Sequence, residues 1–150
     1  MRLRVQDILE SKNIKYRIIE LKERAISVQD VIDYSKEEIN PEEICKTILV
    51  KHKKEYYALF LRGSDKIDFK KLKSVIGKTS IASYDEVLKV TGVEPGAVCP
   101  LLLDVPVVVD KRVLELEWLN FGSGDHLYGV EIVSVDLAKV LDYRFADIAQ

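Results

Sequence analysis

Lys46 and the loop from Gly96 to Pro100 are the parts of the sequence whose residue types could do chemistry. Lys46 and Thr47 open the apolar run Ile48-Leu49-Val50, which is typical of a strand. A lysine ammonium is a compact positive charge that can bind a phosphate or polarise an ester carbonyl. Gly96 has no Cβ, so the backbone of its loop can approach a ligand closely. Lys46 and the glycine loop together suit a phosphate-bearing ligand with an activated carbonyl.

Each feature also has an ordinary structural explanation, and the residues alone leave it open. In a chain with 23 lysines and arginines, Lys46 can simply lie at a strand edge, and the glycine loop can be a packed turn. Gly122-Ser123-Gly124 can form a second backbone nest or only a strand connection. Cys99 is expected to be a small buried residue and not a nucleophile, because no base accompanies it.

Other catalytic signatures are missing from the sequence. His52, in a predicted turn, and His126, in a late loop, are expected to be polar surface residues. There is no Gly-x-Ser-x-Gly elbow and no phosphate-binding P-loop, and the segment 122–125 lacks the third glycine of a dinucleotide fingerprint. No His, Cys and carboxylate cluster has the spacing of metal ligands. We therefore expect neither a metal nor a cofactor.

Capping residues and hydrophobic periodicity predict the helices that position these residues. A first helix is expected over residues 3–11, where the apolar residues fall roughly on one face. Ser27, Asp68 and Ser83 are each placed to cap a helix, and Ser134 is expected to cap a last one.

Runs of β-branched and aromatic residues predict the strands. Residues 44–51 and 56–61 indicate a hairpin, and residues 16–19 a first strand. The continuous apolar run 105–109 is typical of a strand that is buried on both faces. The loop 92–105 is rich in Gly and Pro but also apolar, so we expect it to pack against the body of the protein.

Length and composition favour one α+β domain over residues 1–150. The chain is 47% hydrophobic, which is enough for one core, and no stretch approaches the roughly 20 apolar residues of a membrane span. The N-terminus lacks the apolar core of a secretory signal. Two cysteines are too few for a disulfide framework. We expect a cytoplasmic protein that does not bind membranes.

The charge is unevenly distributed, although its formal total is only −2. Residues 46–78 contain ten Lys and Arg against three acids, a net of +7, which leaves −9 for the rest of the chain. Such asymmetry can steer one polyanionic partner onto one face. The alternative is a hairpin and a helix whose lysines only keep them solvated.

Taken in order, these motifs resemble the YbaK/ProX family of aminoacyl-tRNA deacylases, which is related to the editing insertion of bacterial prolyl-tRNA synthetase. The resemblance includes the strand with a Lys-Thr pair, a turn into a helix and the Gly-x-x-x-Pro loop. The segments that carry it are 44–50, 63–72, 82–100, 105–110, 122–124, 136–141 and 145–149. It implies a mixed, mostly antiparallel, curved and barrel-like sheet that is flanked by helices.

The resemblance also implies an activity and a set of site residues. The activity is hydrolysis of the ester that joins a wrong amino acid to the 3′ end of tRNA, such as Cys- or Ala-tRNA(Pro), by water or by a nucleophile on the substrate. Lys46 would be the basic catalytic residue. The residues implied to bind the substrate are Thr47, Gly96, Ala97, Val98, Cys99, Pro100, Gly122, Ser123 and Gly124. The implied partners are the aminoacyl-tRNA end and an aminoacyl-tRNA synthetase.

The sequence departs from the family pattern at three places. Ser27 opens the second helix where many members have Thr. Leu21-Lys22 occupies a region where some members have an aromatic residue, and Gly129 stands where those members have an acid. The amino acid removed, the tRNA and the oligomeric state therefore stay open. The departures also motivate a second hypothesis, a non-catalytic module that binds tRNA ends or associates with a synthetase. A third hypothesis is a sensor of small aminoacyl ligands.

Overall fold

The computed structural model describes residues 2–150, and helices and strands are interspersed along this part of the chain. The α-helices are α1 (Arg4–Ser11), α2 (Val28–Tyr34), α3 (Phe69–Val75), α4 (Tyr84–Thr91) and α5 (Leu137–Val140). The β-strands are β1 (Tyr16–Glu20), β2 (Cys45–His52), β3 (Glu55–Arg62), β4 (Ser80–Ile81), β5 (Val107–Asp110), β6 (Trp118–Gly122), β7 (Tyr128–Val133) and β8 (Arg144–Ala146). The predicted α+β class is confirmed.

The strands of residues 2–150 form a five-stranded sheet and a three-stranded sheet. The larger sheet has the order β4-β2-β3-β5-β8; its β2–β3 hairpin and β4 are antiparallel, and β5 and β8 add in parallel. The smaller sheet, β1-β7-β6, is antiparallel. A bridge between Ile44 and Asn120 links the two sheets. The mostly antiparallel arrangement is confirmed, with the strands in two linked sheets and not in a closed barrel.

Most of the predicted caps are present. The Ser27 side chain accepts from the backbone N–H of Asp30 at 3.1 Å, and Ser83 forms a capping box with Glu86. The prediction for Ser134 was wrong. It lies in a 3-10 turn, Ser134–Asp136, and makes no side-chain cap, whereas α5 begins at Leu137, where the last helix was expected.

Alternating side chains of the hairpin and of β5 form the core. Ala58 and Phe60 of β3 face α1 and the smaller sheet, whereas Leu59 and Leu61 face α3. All four residues of β5 are buried, as expected for a strand covered on both faces. The sequence analysis did not predict β8, which is only three residues long.

The end of the chain is held by a buried carboxylate. Asp110 is fully buried at the end of β5, and it accepts from the backbone N–H groups of Ile148 and Arg112. The Arg112 guanidinium pairs with both Asp110 and Asp147. These contacts fix β8 beside β5. Within residues 2–150, no helix is long and apolar enough to cross a membrane.

Candidate active site

A cavity of about 270 Å³ lies where the two sheets, α2 and the glycine loop meet. Its walls come from the first half of β2, the start of α2, residues of β4 and α4, and the loop at residues 95–98. Most of the lining side chains are aliphatic. Such a site suits a small apolar group attached to a more polar part of the ligand.

The floor of the cavity is a row of residues across the smaller sheet. Ile19 of β1 pairs with Gly129 of β7, which pairs with Gly122 of β6. A Cβ on Gly129 would meet no atom nearer than 3.6 Å, so the cavity begins directly above this backbone. A Cβ on Gly122 would lie 2.8 Å from the carbonyl oxygen of Val98, so this glycine lets the loop rest on the strand.

Lys46 lines the cavity, and its ammonium is anchored to a turn. The Nζ donates to the carbonyl oxygens of Asp65 at 2.6 Å and Gly63 at 3.1 Å. Burial lowers the pKa of Lys46; the nearby Asp65 raises this pKa and Lys66 lowers it. An ammonium has three N–H groups, so one remains for a ligand when only the acceptors found in residues 2–150 are counted.

Thr47 follows on the opposite face of β2 and also lines the cavity. Its Oγ1 is buried and finds no hydrogen-bond partner within the described part of the chain. A buried hydroxyl without a partner costs about 1–3 kcal/mol, so a ligand group that reaches it would gain affinity. Leu49, on the same face, packs against Val98 of the glycine loop.

The glycine loop lies directly against the backbone that precedes α2. Gly96 has a φ of 95°, and a Cβ there would be 2.6 Å from the carbonyl oxygen of Ile26. Only glycine fits this conformation and this approach. Gly96 therefore forms the junction between the loop and the segment leading to α2.

A third loop, residues 122–128, is tied to both of these segments. Gly124 donates its N–H to the carbonyl of Ala97 at 2.8 Å. His126 Nδ1 lies 2.7 Å from the carbonyl oxygen of Ala25, and the Ala25 N–H donates back to the carbonyl of His126. Glu94 forms an ion pair with Arg24, and its other neighbour in the rim is His126, whose Nε2 lies 3.6 Å from the Glu94 carboxylate. The three loops form one cross-linked rim.

His126 and Asn120 are cavity residues that the sequence did not reveal. The expectation that His126 is a surface residue was wrong, because its side chain is only 14% exposed. Its place just after the glycine-rich segment Gly122-Ser123-Gly124 was the available signal. Asn120 lies in a segment whose pattern was mixed, so its inward orientation was not predictable.

The predicted site residues fall into two groups. The residues that line the cavity are Lys46, Thr47, Gly96, Val98 and Gly122. The others lie behind the rim and shape it; they are Ala97, Cys99, Pro100, Ser123 and Gly124.

Ser123 and Cys99 both have structural roles in the rim. The Ser123 hydroxyl donates to the carbonyl of Tyr128 at 2.6 Å and so closes its own loop. Burial raises the pKa of the Cys99 thiol to about 12, so the sulfur is protonated at neutral pH.

The sequence of the chain matches a known protein family. The sequence model of the aminoacyl-tRNA editing domain matches residues 25–140, which include every part of the cavity except Ile19 and Leu21. The chain belongs to this family. The positions at which this editing domain departs from the expected pattern, Leu21, Ser27 and Gly129, all line the cavity.

Relatives of the editing domain include the proline–tRNA ligases of two Staphylococcus aureus strains, Newman and JH1. Each is 30% identical over 113 residues, which is 69% of this chain and 20% of the ligase. The chain therefore spans about one fifth of the length of these relatives.

Solved structures share the fold of the editing domain. A hypothetical protein matches with a TM-score of 0.84 at 22% identity, over 97% of this chain and 99% of its own. A protein crystallised as a candidate trans-editing enzyme for prolyl-tRNA synthetase matches with a TM-score of 0.80 at 20% identity. The match covers 98% of this chain and 95% of that protein. Both likenesses extend along nearly the whole chain.

Proposed function

We propose that this editing domain is a free-standing, single-domain hydrolase that removes wrong amino acids from tRNA. The observation that carries the proposal is one cavity whose lining combines Lys46, with its ammonium anchored to the Gly63 and Asp65 carbonyls, with glycine-rich backbone and an apolar floor. Its substrates would be esters such as Cys- or Ala-tRNA(Pro). The small amino-acid side chain would occupy the floor over Gly129, and the terminal adenosine would lie on the rim near Gly96.

The reaction would be driven by binding and orientation. Water, or a nucleophile on the substrate, attacks the ester carbonyl carbon; the carbon–oxygen bond to the ribose breaks, and the ribose oxygen takes a proton. The remaining N–H of Lys46 would stabilise the negative charge that develops on the carbonyl oxygen. Burial raises the pKa of both cysteine thiols, Cys45 and Cys99, to about 12, which argues against a thiolate nucleophile.

The basic segment provides a surface for the tRNA backbone. Several of its lysines are exposed and form no ion pair with other residues of the range 2–150; they are Lys53, Lys54, Lys66, Lys70, Lys73 and Lys78. Lys66 lowers the pKa of Lys46, which lines the cavity, so the basic surface would extend to the cavity edge. Phosphates of the acceptor stem would bind there. Such a function would operate in the cytoplasm, on aminoacyl-tRNA released by a synthetase.

The test is deacylation of a panel of mischarged tRNAs by the wild type and by Lys46→Ala. We expect turnover of at least one small mischarged amino acid, and a loss of roughly 10²-fold in kcat with Lys46→Ala. Lys15→Ala removes an exposed lysine outside the basic segment and the cavity, so it serves as the control and should deacylate like the wild type. If no mischarged tRNA is hydrolysed, the proposal that the domain is a hydrolase is wrong.

A second candidate function is a non-catalytic module that binds tRNA ends or a synthetase. It is favoured by Leu21 and Gly129, which line the cavity at positions where some members of the family have an aromatic residue and an acid. This function predicts tight tRNA binding without hydrolysis. A sensor of small aminoacyl ligands would instead bind its ligand equally well in the presence and absence of tRNA.

A further inference from the structure

Asn120 presents a buried carboxamide oxygen beside the floor of the cavity. The residue lies in the middle of β6, is 4% exposed and lines the cavity. Its Nδ2 donates to Glu131 Oε2 of the neighbouring strand at 3.1 Å. An ionised carboxylate only accepts hydrogen bonds, so the amide nitrogen, and not the oxygen, must face Glu131. The oxygen, Oδ1, has no hydrogen-bond donor among residues 2–150.

The direction of this oxygen is fixed by a second contact. Arg17 binds Glu131 with two hydrogen bonds, from Nε to Oε1 at 3.1 Å and from Nη2 to Oε2 at 2.9 Å. Arg17, Glu131 and Asn120 pair with one another across β1, β7 and β6. The bidentate ion pair immobilises the carboxylate, and the carboxylate immobilises the carboxamide.

The row Ile19–Gly129–Gly122 lies two residues further along the same strands and on the same face. Rows two residues apart are separated by about 7 Å along a strand. The α-amino group and the side chain of an amino acid branch from one carbon. An amino acid whose side chain lies on the glycine floor can therefore direct its amine towards Asn120.

We propose that Asn120 binds the α-ammonium group of the aminoacyl ester, with Glu131 and Arg17 as positioning residues. An ammonium supplies the missing donor, and the Glu131 carboxylate next to Asn120 favours a cation over a neutral hydroxyl. The inference rests on the proposed function and narrows its substrate class. Esters with a free α-amine are substrates, whereas N-acylated esters, including peptidyl-tRNA, are excluded.

The test uses two non-hydrolysable ligands that differ only in the amine, 3′-alanylamino- and 3′-propionylamino-3′-deoxyadenosine. Calorimetry should show that the wild type binds the alanyl ligand about ten-fold more tightly, as expected for a hydrogen bond to a charged group. Asn120→Leu should bind both ligands with the affinity of the wild type for the propionyl ligand. Arg17→Met should reduce the preference and leave propionyl binding unchanged.

Ser134→Ala is the matched control, because it also removes a buried polar side chain but lies outside the cavity. It should keep the full preference for the amine. Equal binding of the two ligands by the wild type would overturn the inference without any variant, and so would binding of neither. A loss of affinity for both ligands in Asn120→Leu would show a structural role instead.

The deacylation assay separates this inference from the proposed function. Turnover of mischarged tRNA by a wild type with no preference for the amine would overturn the role of Asn120 alone. A preserved preference without turnover would overturn the hydrolase and leave the ammonium site standing.

Discussion

Gly122 and Gly129 lie opposite each other on β6 and β7, and together they leave their part of the cavity floor without side chains. Their surroundings differ. A Cβ on Gly122 would collide with the carbonyl oxygen of Val98 at 2.8 Å, whereas one on Gly129 would make only ordinary contacts at 3.6 and 3.7 Å. One glycine thus lets the loop pack against the sheet, and the other leaves space for a ligand.

Gly129→Val should therefore fill the cavity without unfolding the protein. Valine suits a strand, and its methyl groups would occupy the space assigned to the amino-acid side chain. We expect deacylation to fall by about ten-fold or more because the pocket is blocked, and the melting temperature to change little. Gly122→Val should instead lower the free energy of unfolding by about 1–3 kcal/mol, because it displaces the loop. Full activity of Gly129→Val would show that the floor is not used.

Comparing Gly96→Ala with Gly92→Ala tests the close contact of the glycine loop. Gly96 lies in that loop, and Gly92 only ends α4. Both glycines have positive φ, but a Cβ on Gly92 meets no atom within 4 Å, whereas one on Gly96 meets the Ile26 backbone. In urea denaturation, Gly92→Ala should lower the free energy of unfolding by about 1 kcal/mol, because alanine is strained in the left-handed conformation. Gly96→Ala should lower the free energy of unfolding by at least about 2 kcal/mol, because steric overlap adds to that strain. It should also abolish most of the activity. Equal effects would contradict the close contact between the loop and Ile26.

Lys46→Ala should affect stability as well as activity. The substitution removes the donor to the Gly63 and Asp65 carbonyls, which end β3 and lead to α3. Because the residue is only half-buried, water can replace part of this hydrogen bonding. We therefore expect the free energy of unfolding to fall by about 1–2 kcal/mol. Lys66→Ala, its exposed neighbour, should lose less than about 0.5 kcal/mol. If the stability of Lys46→Ala equals that of the wild type, the ammonium does not anchor the turn.

Acid stability should depend on Glu86. The Ser83 N–H, the Tyr56 hydroxyl and Lys51 hold the pKa of this carboxyl at about 2, below its ordinary value of 4.5. A lowered folded-state pKa stabilises the protein fully above pH 4.5, and this stabilisation is lost as the pH falls towards 2. Glu86→Gln can still cap α4 but does not titrate, so its melting temperature should fall less than that of the wild type between pH 5 and about 2.5. Parallel melting curves for the two proteins would contradict this assignment.

Much of the fold could be predicted because local rules govern it. Ser27, Asp68 and Ser83 cap helices with their own backbone neighbours, and the hairpin of β2 and β3 follows from two β-rich runs around a short turn. These signals need only a few adjacent residues. Ser134 shows the limit of this approach, because a capping pattern is also compatible with a 3-10 turn.

The sequence by itself determined the residue types of the site, Lys46 on a strand and glycines in two loops, and the order of elements that resembles the editing family. Only the tertiary structure decided which of these residues face the cavity, and it added His126 and Asn120. The physical reason is that strand register, fixed by pairing between residues distant in the chain, sets which alternate side chains share a face. Arg17, Glu131 and Asn120 meet only because β1, β7 and β6 pair in this register.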